Sequence, residues 1–361
     1  MSSFKPCCLA TGIGSVPHLE AAEAVKFAAA YFPGIPYWPQ LPMKGPEEQC
    51  VNQILNPLVE LGLVIRQANK YYVDTERKDW GAVLGRFYEI YMEALDGNDE
   101  AQQVFRITEE NASGFYAMLN YLESAGTGRA NYLKGQILGP GTGYVLNDQN
   151  GKPIYFNQQF RDVLVKTTAM LCSFQAKRLS EFGLPVILFV DDGSIAVPGG
   201  SFNSLQGNEI LTELNEIYEV VHGAGAIGGY HCCYWGEWSI VFKSTVDIVS
   251  FDAYNCFASC LSYIDQMKSY LERGGVLAWG IVPTQIEKVY TETVDTLIHR
   301  IIENVDYLVH RGIDRQMLLM QSIITPSCGT GLLPMEAAAR VHELTRDLAE
   351  EIRGGYNLYN I

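Results

Sequence analysis

Two stretches decide the fold: residues 185–193 read PVILFVDDG, and residues 226–233 read AIGGYHCC. Each opens with an apolar run of the length of a strand buried on both faces, and each ends in chemically reactive side chains. Residues 209–222 between them have helical periodicity. A strand, a helix and a second strand in this order give parallel strands, so these stretches predict a β–α–β unit.

The same alternation recurs along the whole chain. Eight apolar runs qualify as strands: Cys7–Ile13, Ile35–Pro39, Tyr132–Leu138, Pro185–Val190, Ala226–His231, Asp247–Phe251, Gly275–Ile281 and Met317–Ile324. Each is eventually followed by a helical pattern. We therefore predict an α/β fold, a single (β/α)8 TIM barrel over residues 1–361, with a doubly wound open sheet as the structural alternative.

Residues 62–128 do not fit a simple β–α unit. They contain a predicted hairpin, Leu63–Arg66 and Tyr71–Asp74 around Ala68–Asn69, and two amphipathic helices, Trp80–Leu95 and Ala112–Leu122. We interpret this stretch as a helical and hairpin insertion after the second β–α unit.

The net charge of the chain argues against two classes of partner. Of 361 residues, 26 are Lys or Arg and 41 are Asp or Glu, so the net charge is −15. Such an acidic surface repels nucleic acid and anionic lipid. No apolar run approaches the ~18 residues of a membrane helix, and we expect no secretion signal. We therefore expect a cytoplasmic protein with neither nucleic acid nor membrane as a partner.

The cysteines favour a reducing compartment. There are nine, an odd number, and two pairs are adjacent in sequence, which is no disulfide framework. We expect free thiols that serve packing or metal chemistry.

The ends of the predicted strands bring soft metal ligands together. In a TIM barrel the active site lies at the C-terminal ends of the strands. The fifth run ends in His231-Cys232-Cys233, and Cys328 follows the eighth. Because side chains alternate along a strand, His231 and Cys233 point the same way. Imidazole and thiolate suit Zn²⁺, and Asp252, at the end of the sixth run, is a further candidate ligand.

Two adjacent acids end the fourth run. Asp191 and Asp192 have the residue types of a catalytic acid/base pair. One solvated carboxylate and one helix cap is the alternative interpretation.

Several segments together resemble one enzyme family, the catalytic domain of cobalamin-independent methionine synthase. The similar segments are Gly12-Ile-Gly-Ser15-Val-Pro17, Val190-Asp-Asp192, His231-Cys-Cys-Tyr234, Asp247-Ile-Val-Ser-Phe-Asp252 and Thr325-Pro-Ser-Cys-Gly329. The likeness runs from about residue 9 to the C-terminus, and His-x-Cys with the final Cys-Gly is its most specific part.

The resemblance implies a barrel of the uroporphyrinogen decarboxylase/methionine synthase superfamily. It implies Zn²⁺ held by His231, Cys233 and Cys328, and methyl transfer to a thiol such as homocysteine. It also implies that Ser15 binds the amino acid's carboxylate and that Asp191 or Asp192 binds its ammonium group. Short relatives of this family are thought to accept methyl groups from corrinoid proteins, so a methylcorrinoid protein, or else a methyl-folate, is the expected donor.

The chain departs from the family at three places. Asp252 replaces a glutamate, Asp192-Gly193 replaces Glu-Pro, and Gln40 lies where a second carboxylate near the substrate amine is expected. These departures leave the fourth zinc ligand and the amino-acid selectivity open.

Three alternatives remain beside the zinc-dependent thiol methyltransferase. One is a methylcorrinoid:coenzyme M-type methyltransferase, and another is a metal-free decarboxylase of the uroporphyrinogen type, which would want arginine clamps. The third is a non-catalytic protein that binds metal or corrinoid.

Overall fold

The computed structural model describes residues 4–67, 70–196 and 204–358, and within them it has ten strands. In chain order these are β1 Leu9–Ala10, β2 Ile65–Gln67, β3 Lys70–Val73, β4 Leu133–Leu138, β5 Asn147–Asp148, β6 Val186–Asp191, β7 Ile227–Cys232, β8 Ile248–Phe251, β9 Val276–Val282 and β10 Ser322–Pro326. Seven of them form the main sheet, in the order β1-β10-β9-β8-β7-β6-β4, and all of its pairs are parallel.

Helices follow the strands as the alternation predicts. They are α1 Ala21–Tyr31, α2 Cys50–Glu60, α3 Trp80–Leu95, α4 Asp99–Val104, α5 Ser113–Ala125, α6 Gln158–Ser180, α7 Ser204–Gly223, α8 Trp238–Lys243, α9 Phe257–Cys260, α10 Ile264–Glu272, α11 Ile286–Val289, α12 Val294–His310, α13 Arg315–Met320 and α14 Met335–Gly355. In α14, Val341, Leu344, Leu348 and Ile352 recur at three and four residues and are all buried, so one stripe of the helix packs on the sheet.

The sheet curls, but it has seven strands and does not close. The predicted barrel is therefore wrong in its closure and in its number of strands. Residues 35–40 occupy the gap between β1 and β4 without forming a regular strand. They make two isolated parallel bridges, Tyr37 with Lys134 and Gln40 with Ser15. Pro36 and Pro39 lack the N–H groups that a ladder needs.

The first strand is also much shorter than predicted. Of the predicted run Cys7–Ile13, only Leu9–Ala10 is regular strand. Cys7 and Cys8 have φ angles of 50° and 58°, which are incompatible with extended backbone. Thr11 continues toward β10 through a single backbone hydrogen bond to Ile324.

The described residues between α2 and β4 contribute no strand to the main sheet. β2 and β3 pair antiparallel, as the predicted hairpin requires, and its predicted turn at Ala68–Asn69 lies outside the described residues. β3 also pairs with β5 to complete a separate three-stranded sheet. The helices α3, α4 and α5 complete this stretch.

One end of the interior of the curled sheet is filled by apolar side chains. Eight buried residues form one cluster there: Ile13, Ile35, Ile187, Phe189, Ile248, Val276, Ala278 and Ile323. Because side chains alternate, the inward positions two residues further along β6 and β8 are Asp191 and Ser250. The interior therefore changes from apolar to polar toward the C-terminal ends of the strands, where the site lies.

Two general features complete the description. No helix among the described residues combines the length and apolar character needed to cross a membrane. All nine cysteines are free thiols.

Candidate functional site

Neighbouring strands place the metal-ligand candidates at one edge of the sheet. His231 lies near the end of β7, where it pairs in register with Asp191 of β6 and with Ser250 of β8. Cys233 follows β7 directly, and Cys328 follows β10. The parallel direction of these strands brings side chains that are 95 residues apart in sequence to the same end of the sheet.

Three of the four predicted metal ligands converge. Ligand atoms of His231, Cys233 and Cys328 all lie within 4.8 Å of one another. The two sulfur atoms are 3.7 Å apart. His231 is buried and both thiols are partly buried, so the cluster lies at the inner end of an opening.

His231 is oriented by its neighbour on β8. Its Nδ1 lies 2.9 Å from Ser250 Oγ, whereas its Nε2 is shielded from solvent and has no hydrogen-bond partner among the described residues. A neutral imidazole that donates from Nδ1 to Ser250 has its Nε2 lone pair free, which is the form that binds metals. An unpartnered buried nitrogen beside two thiols fits a metal ligand.

The two thiols of the cluster shift each other's pKa in opposite directions. The hydrogen bond between them lowers the pKa of Cys328 to about 4 and raises the pKa of Cys233 well above its usual value. The lowered pKa of Cys328 favours its thiolate, which is the form that binds a metal.

A cavity of about 490 Å³ opens above the cluster. Ile13, Leu138 and Leu333 give part of its wall an apolar character, and Ser15, Gln40, Cys50 and Thr284 give the rest polar or thiol groups. Its only lining carboxylates among the described residues are Asp191 and Asp192, and no Lys or Arg of those residues lines it. The cavity has the size of a small-molecule site.

The structure separates the roles of the two adjacent acids. Asp192 Oδ1 accepts a hydrogen bond from the Gly141 N–H at 2.7 Å, and its Oδ2 accepts one from the Ser194 hydroxyl at 2.5 Å. Its carboxylate thus links the loop that contains Gly141 to the loop that contains Ser194. Asp191 Oδ1 is buried and has no partner among the described residues. Asp191 is therefore the acid with free hydrogen-bonding capacity beside the cluster.

Burial raises the pKa of Asp191 to about 6, against the opposing pull of His231 and Lys134. Lys134 is itself almost completely buried inside the sheet. Its Nζ donates to the Ile13 carbonyl at 3.0 Å and to Gln136 Oε1 at 3.1 Å, and it lies 4.5 Å from the centre of the Phe189 ring. Desolvation lowers the pKa of Lys134 to about 7.

Ser15 lies at the cavity wall beside the loop that carries Cys328. Its Oγ accepts a hydrogen bond from the Gly331 N–H at 3.1 Å, and its carbonyl accepts one from the Thr330 N–H at 2.9 Å. The Ser15 hydroxyl hydrogen is left to donate to a ligand. A Cβ at position 329 would lie 2.2 Å from Ser15 Oγ, so this approach requires Gly329.

Asp252 is not brought into the cluster. Both of its carboxylate oxygens accept hydrogen bonds from Asn255, one from the backbone N–H at 2.8 Å and one from the side-chain amide at 2.7 Å. It is also absent from the described cavity lining. The local turn after β8 thus satisfies this carboxylate, although its position at the strand end is as predicted.

Sequence reasoning missed three residues that shape the site. Ser250 lies two residues before Asp252, so alternation of side chains could have placed it on the same face of the strand. Its position beside His231 follows from the register of β7 and β8. Lys134 is a charged residue inside the apolar run 132–138, which is an unusual place for a cation. Gln53, which contacts Gln40, sits on a helix and gives no comparable signal.

Comparisons with known proteins do not assign a family. No family model matches the chain, and no curated protein matches its sequence. A methyltransferase from Methanosarcina mazei is similar in structure, with 12% identity, coverage of 94% of this chain and 93% of that chain, and a TM-score of 0.49.

Two glycosidase structures are also similar, with lower TM-scores. The GH113 β-mannanase AaManA from Alicyclobacillus acidocaldarius has 12% identity, coverage of 66% and 78% of the two chains, and a TM-score of 0.37. The GH20 modules of the pneumococcal exo-β-D-N-acetylglucosaminidase StrH have 9% identity, coverage of 96% and 83%, and a TM-score of 0.46. Because such folds host many chemistries, the function has to be argued from the site.

Proposed function

We propose that this chain is a zinc-dependent methyltransferase that moves a methyl group from a methylcorrinoid protein, or from a methyl-folate, to a small thiol such as homocysteine. The observation that carries the proposal is the convergence of His231, Cys233 and Cys328 below a cavity of about 490 Å³. Three protein ligands with space above them are typical of a catalytic zinc site.

The distances in the cluster suit zinc. With Zn–S bonds of about 2.3 Å and Zn–N bonds of about 2.0 Å, ligand atoms around a tetrahedral ion are about 3.5–3.8 Å apart. The sulfur atoms of Cys233 and Cys328 are already 3.7 Å apart. All three ligand atoms lie within 4.8 Å, so only a small inward movement is needed.

Zinc held by His231, Cys233 and Cys328 would supply a Lewis acid, which would favour the thiolate form of a coordinated substrate thiol. The substrate thiol would lose its proton to water, and its sulfur would form a bond to the methyl carbon. The bond from that carbon to the donor breaks, and the electron pair stays on the donor. The donor identity rests on the family resemblance alone.

The remaining residues of the cavity bind and orient the substrate. Asp191 Oδ1 is free to accept a hydrogen bond from an ammonium group, and the Ser15 hydroxyl is free to donate one to a carboxylate. The apolar wall formed by Ile13, Leu138 and Leu333 excludes water from the reacting sulfur. Asp192 acts indirectly, because its hydrogen bonds to Gly141 and Ser194 fix two loops beside the cavity.

The charge of the cavity wall disfavours the decarboxylase alternative. That chemistry needs cationic clamps for several carboxylates, and no Lys or Arg of the described chain lines the cavity. A methyltransferase specific for coenzyme M, which carries a sulfonate, meets the same obstacle. A non-catalytic metal-binding protein predicts a loaded cluster without turnover.

A direct assay tests the proposal. Zinc-loaded protein is incubated with methylcobalamin and homocysteine, and the methyl thioether is measured by mass spectrometry against metal-free protein. We expect product with the zinc-loaded protein only, and loss of product in Cys328→Ser. If zinc-loaded protein forms no methyl thioether from any thiol, with methylcobalamin or a methyl-folate as donor, the methyltransferase proposal is wrong and the non-catalytic alternative replaces it.

A further inference from the structure

Another pocket, of about 220 Å³, lies at the opposite end of the sheet from the metal-ligand cluster. Gly34 and Asn131 line it, and they come just before residues 35–40 and before β4. The cluster and its cavity lie where the strands end, whereas this pocket lies where they begin. A ligand bound here would leave the cavity open, so it is not the substrate of the cluster.

The charge of this pocket is opposite to that of the cavity. Arg129, Arg346 and Arg353 line it, and Glu350 is the only carboxylate among its described lining residues. The described lining of the cavity has two carboxylates and neither Lys nor Arg. The chain as a whole carries a net charge of −15, so three guanidinium groups around one opening are a local exception.

Two of the three arginines have hydrogen-bond donors to spare. No hydrogen bond or ion pair joins the Arg129 side chain to another described residue. Arg346 donates from Nε to Asp347 Oδ1 at 2.8 Å, and its guanidinium lies 5.4 Å from the centre of the Tyr31 ring. These contacts orient Arg346 and leave its Nη1 without a partner among the described residues.

Helix α14 supplies both a cationic and an apolar part of the pocket. Arg346 and Arg353 are two turns apart, so they lie on one face of the helix. Arg353 Nη1 donates to the Cys7 carbonyl at 2.6 Å, which positions its side chain. Ala349 lies between the two arginines, and with the buried Phe32 it gives the pocket apolar surface. Cations beside apolar surface suit an organic anion.

The walls of the pocket come from both edges of the open sheet. Leu9 belongs to β1, which pairs with β10, whereas Arg129 and Asn131 precede β4 at the other edge. Gly34 lies between the edges. Its carbonyl accepts a hydrogen bond from the Asn131 N–H at 2.8 Å, and a Cβ at position 34 would lie 2.9 Å from Leu9 Cδ2. An anion that binds Arg129 and α14 together connects the two edges.

We propose that this pocket binds a small organic phosphate. Its three terminal oxygens accept hydrogen bonds from Arg129, Arg346 and Arg353, and its organic part packs on Phe32 and Ala349. A guanidinium group forms paired hydrogen bonds with phosphate, which makes arginine the residue suited to such a ligand. Because the ligand binds the folded chain across both edges of the sheet, it also stabilises the fold. The inference does not depend on the reaction at the cluster.

Three anions that differ in charge or in organic part test the inference: phenyl phosphate, inorganic phosphate and benzoate. Each is titrated calorimetrically at low ionic strength into metal-free and into zinc-loaded protein. We expect one phenyl phosphate per chain, with the same affinity in both forms and a raised melting temperature. Inorganic phosphate lacks the apolar part and benzoate lacks the third oxygen, so each should bind about tenfold more weakly or worse.

Variants of the arginines locate the bound anion. Arg129→Gln changes an exposed side chain without a described partner, so the variant should fold as wild type does. We expect Arg129→Gln and Arg346→Gln each to weaken the binding of phenyl phosphate about ten- to a hundredfold, because each removes a charged donor. Arg86→Gln is the matched control, an exposed arginine of α3 outside the pocket, and should bind phenyl phosphate as wild type does.

The contrary results are distinct. If phenyl phosphate does not bind, or binds wild type and both pocket variants equally, the site is wrong. If benzoate binds as tightly as phenyl phosphate, the ligand class is wrong, and equal affinity for inorganic phosphate would overturn the role of the apolar surface. Binding to the zinc-loaded protein alone would place the anion at the cluster and contradict the inference. None of these results bears on the proposed methyl transfer.

Discussion

The two ends of the sheet interior are built from the same strands and differ completely in chemistry. Toward the N-terminal ends, residues such as Ile187 and Ile248 form a closed apolar cluster. Two to four residues later on the same strand faces, Asp191 and Ser250 border the His–Cys–Cys cluster. The residues that stabilise the fold and the residues that could carry out chemistry therefore lie in separate layers of the interior, as in TIM barrels.

The largest change in stability is expected from a substitution in the apolar layer. Ile323→Ala removes a side chain with no exposed surface, and we expect the free energy of unfolding to fall by about 2–5 kcal/mol. Ile323→Val should cost only about 0.5–1.5 kcal/mol. Chemical denaturation measures both, and zinc content per folded chain should not change. Loss of zinc from folded Ile323→Ala would contradict the separation of layers.

Lys134 lies between the two layers and should give stability a distinct pH dependence. The folded pKa is about 7, and an unfolded lysine has a pKa of about 10.4. Between these values the unfolded chain holds the proton and the folded chain does not, so this residue makes stability rise as pH increases. Lys134→Met should lack that contribution.

The measurement is the free energy of unfolding of both proteins at pH 7 and near pH 9.5. We expect the difference, wild type minus Lys134→Met, to grow with pH by a few kcal/mol. Identical pH dependence in the two proteins would show that Lys134 is not desolvated as described.

The adjacent acids provide a comparison within the polar layer. Asp192→Asn replaces an acceptor oxygen with a donor beside Gly141 or Ser194, and we expect a loss of about 1–3 kcal/mol in the free energy of unfolding. Asp191→Asn breaks no hydrogen bond of Oδ1, so the free energy of unfolding should fall by less than in Asp192→Asn. Thermal and chemical denaturation of both variants checks the order, and a larger loss for Asp191→Asn would reverse the assigned roles.

A smaller effect is expected from the residue that orients His231. Ser250→Ala removes the hydrogen-bond partner of Nδ1, and we expect zinc affinity to fall about 10–100-fold. Ser250→Thr retains a hydroxyl and should lose less. Competition with a chromophoric chelator measures the affinity of each protein. Equal affinity of Ser250→Ala and wild type would mean that packing alone orients His231.

The regular part of the sheet was predictable because its strands are long apolar runs. β4 and β6 to β10 all overlap runs that the sequence analysis identified, so His231, Cys233 and Cys328 could be placed near strand ends. The eighth run, Met317–Ile324, was predicted too early, because Met317–Met320 belong to α13 and β10 begins at Ser322. The seam between β1 and β4 was not predictable in detail. There Pro36 and Pro39 remove ladder donors, and only the backbone geometry shows how residues 35–40 still bridge both sides.

The site was predictable only to the level of residue type and strand end. Strand alternation brings His231 and Cys233 to one face, but it cannot show that Asn255 satisfies the carboxylate of Asp252. Nor does it distinguish Asp191 from Asp192, because that depends on a loop 51 residues before Asp192 that presents the Gly141 N–H. Such contacts between distant loops have no local signal in the sequence.

Zinc content per chain tests the central claim most directly. Wild type, Cys328→Ser and Cys50→Ser are purified identically, supplied with zinc under reducing conditions and measured by elemental analysis. Cys50 is the matched control, since it also lines the cavity but lies outside the cluster. We predict about one zinc per chain in wild type and Cys50→Ser and a clear loss in Cys328→Ser. No zinc in wild type, or as much in Cys328→Ser, would contradict the account.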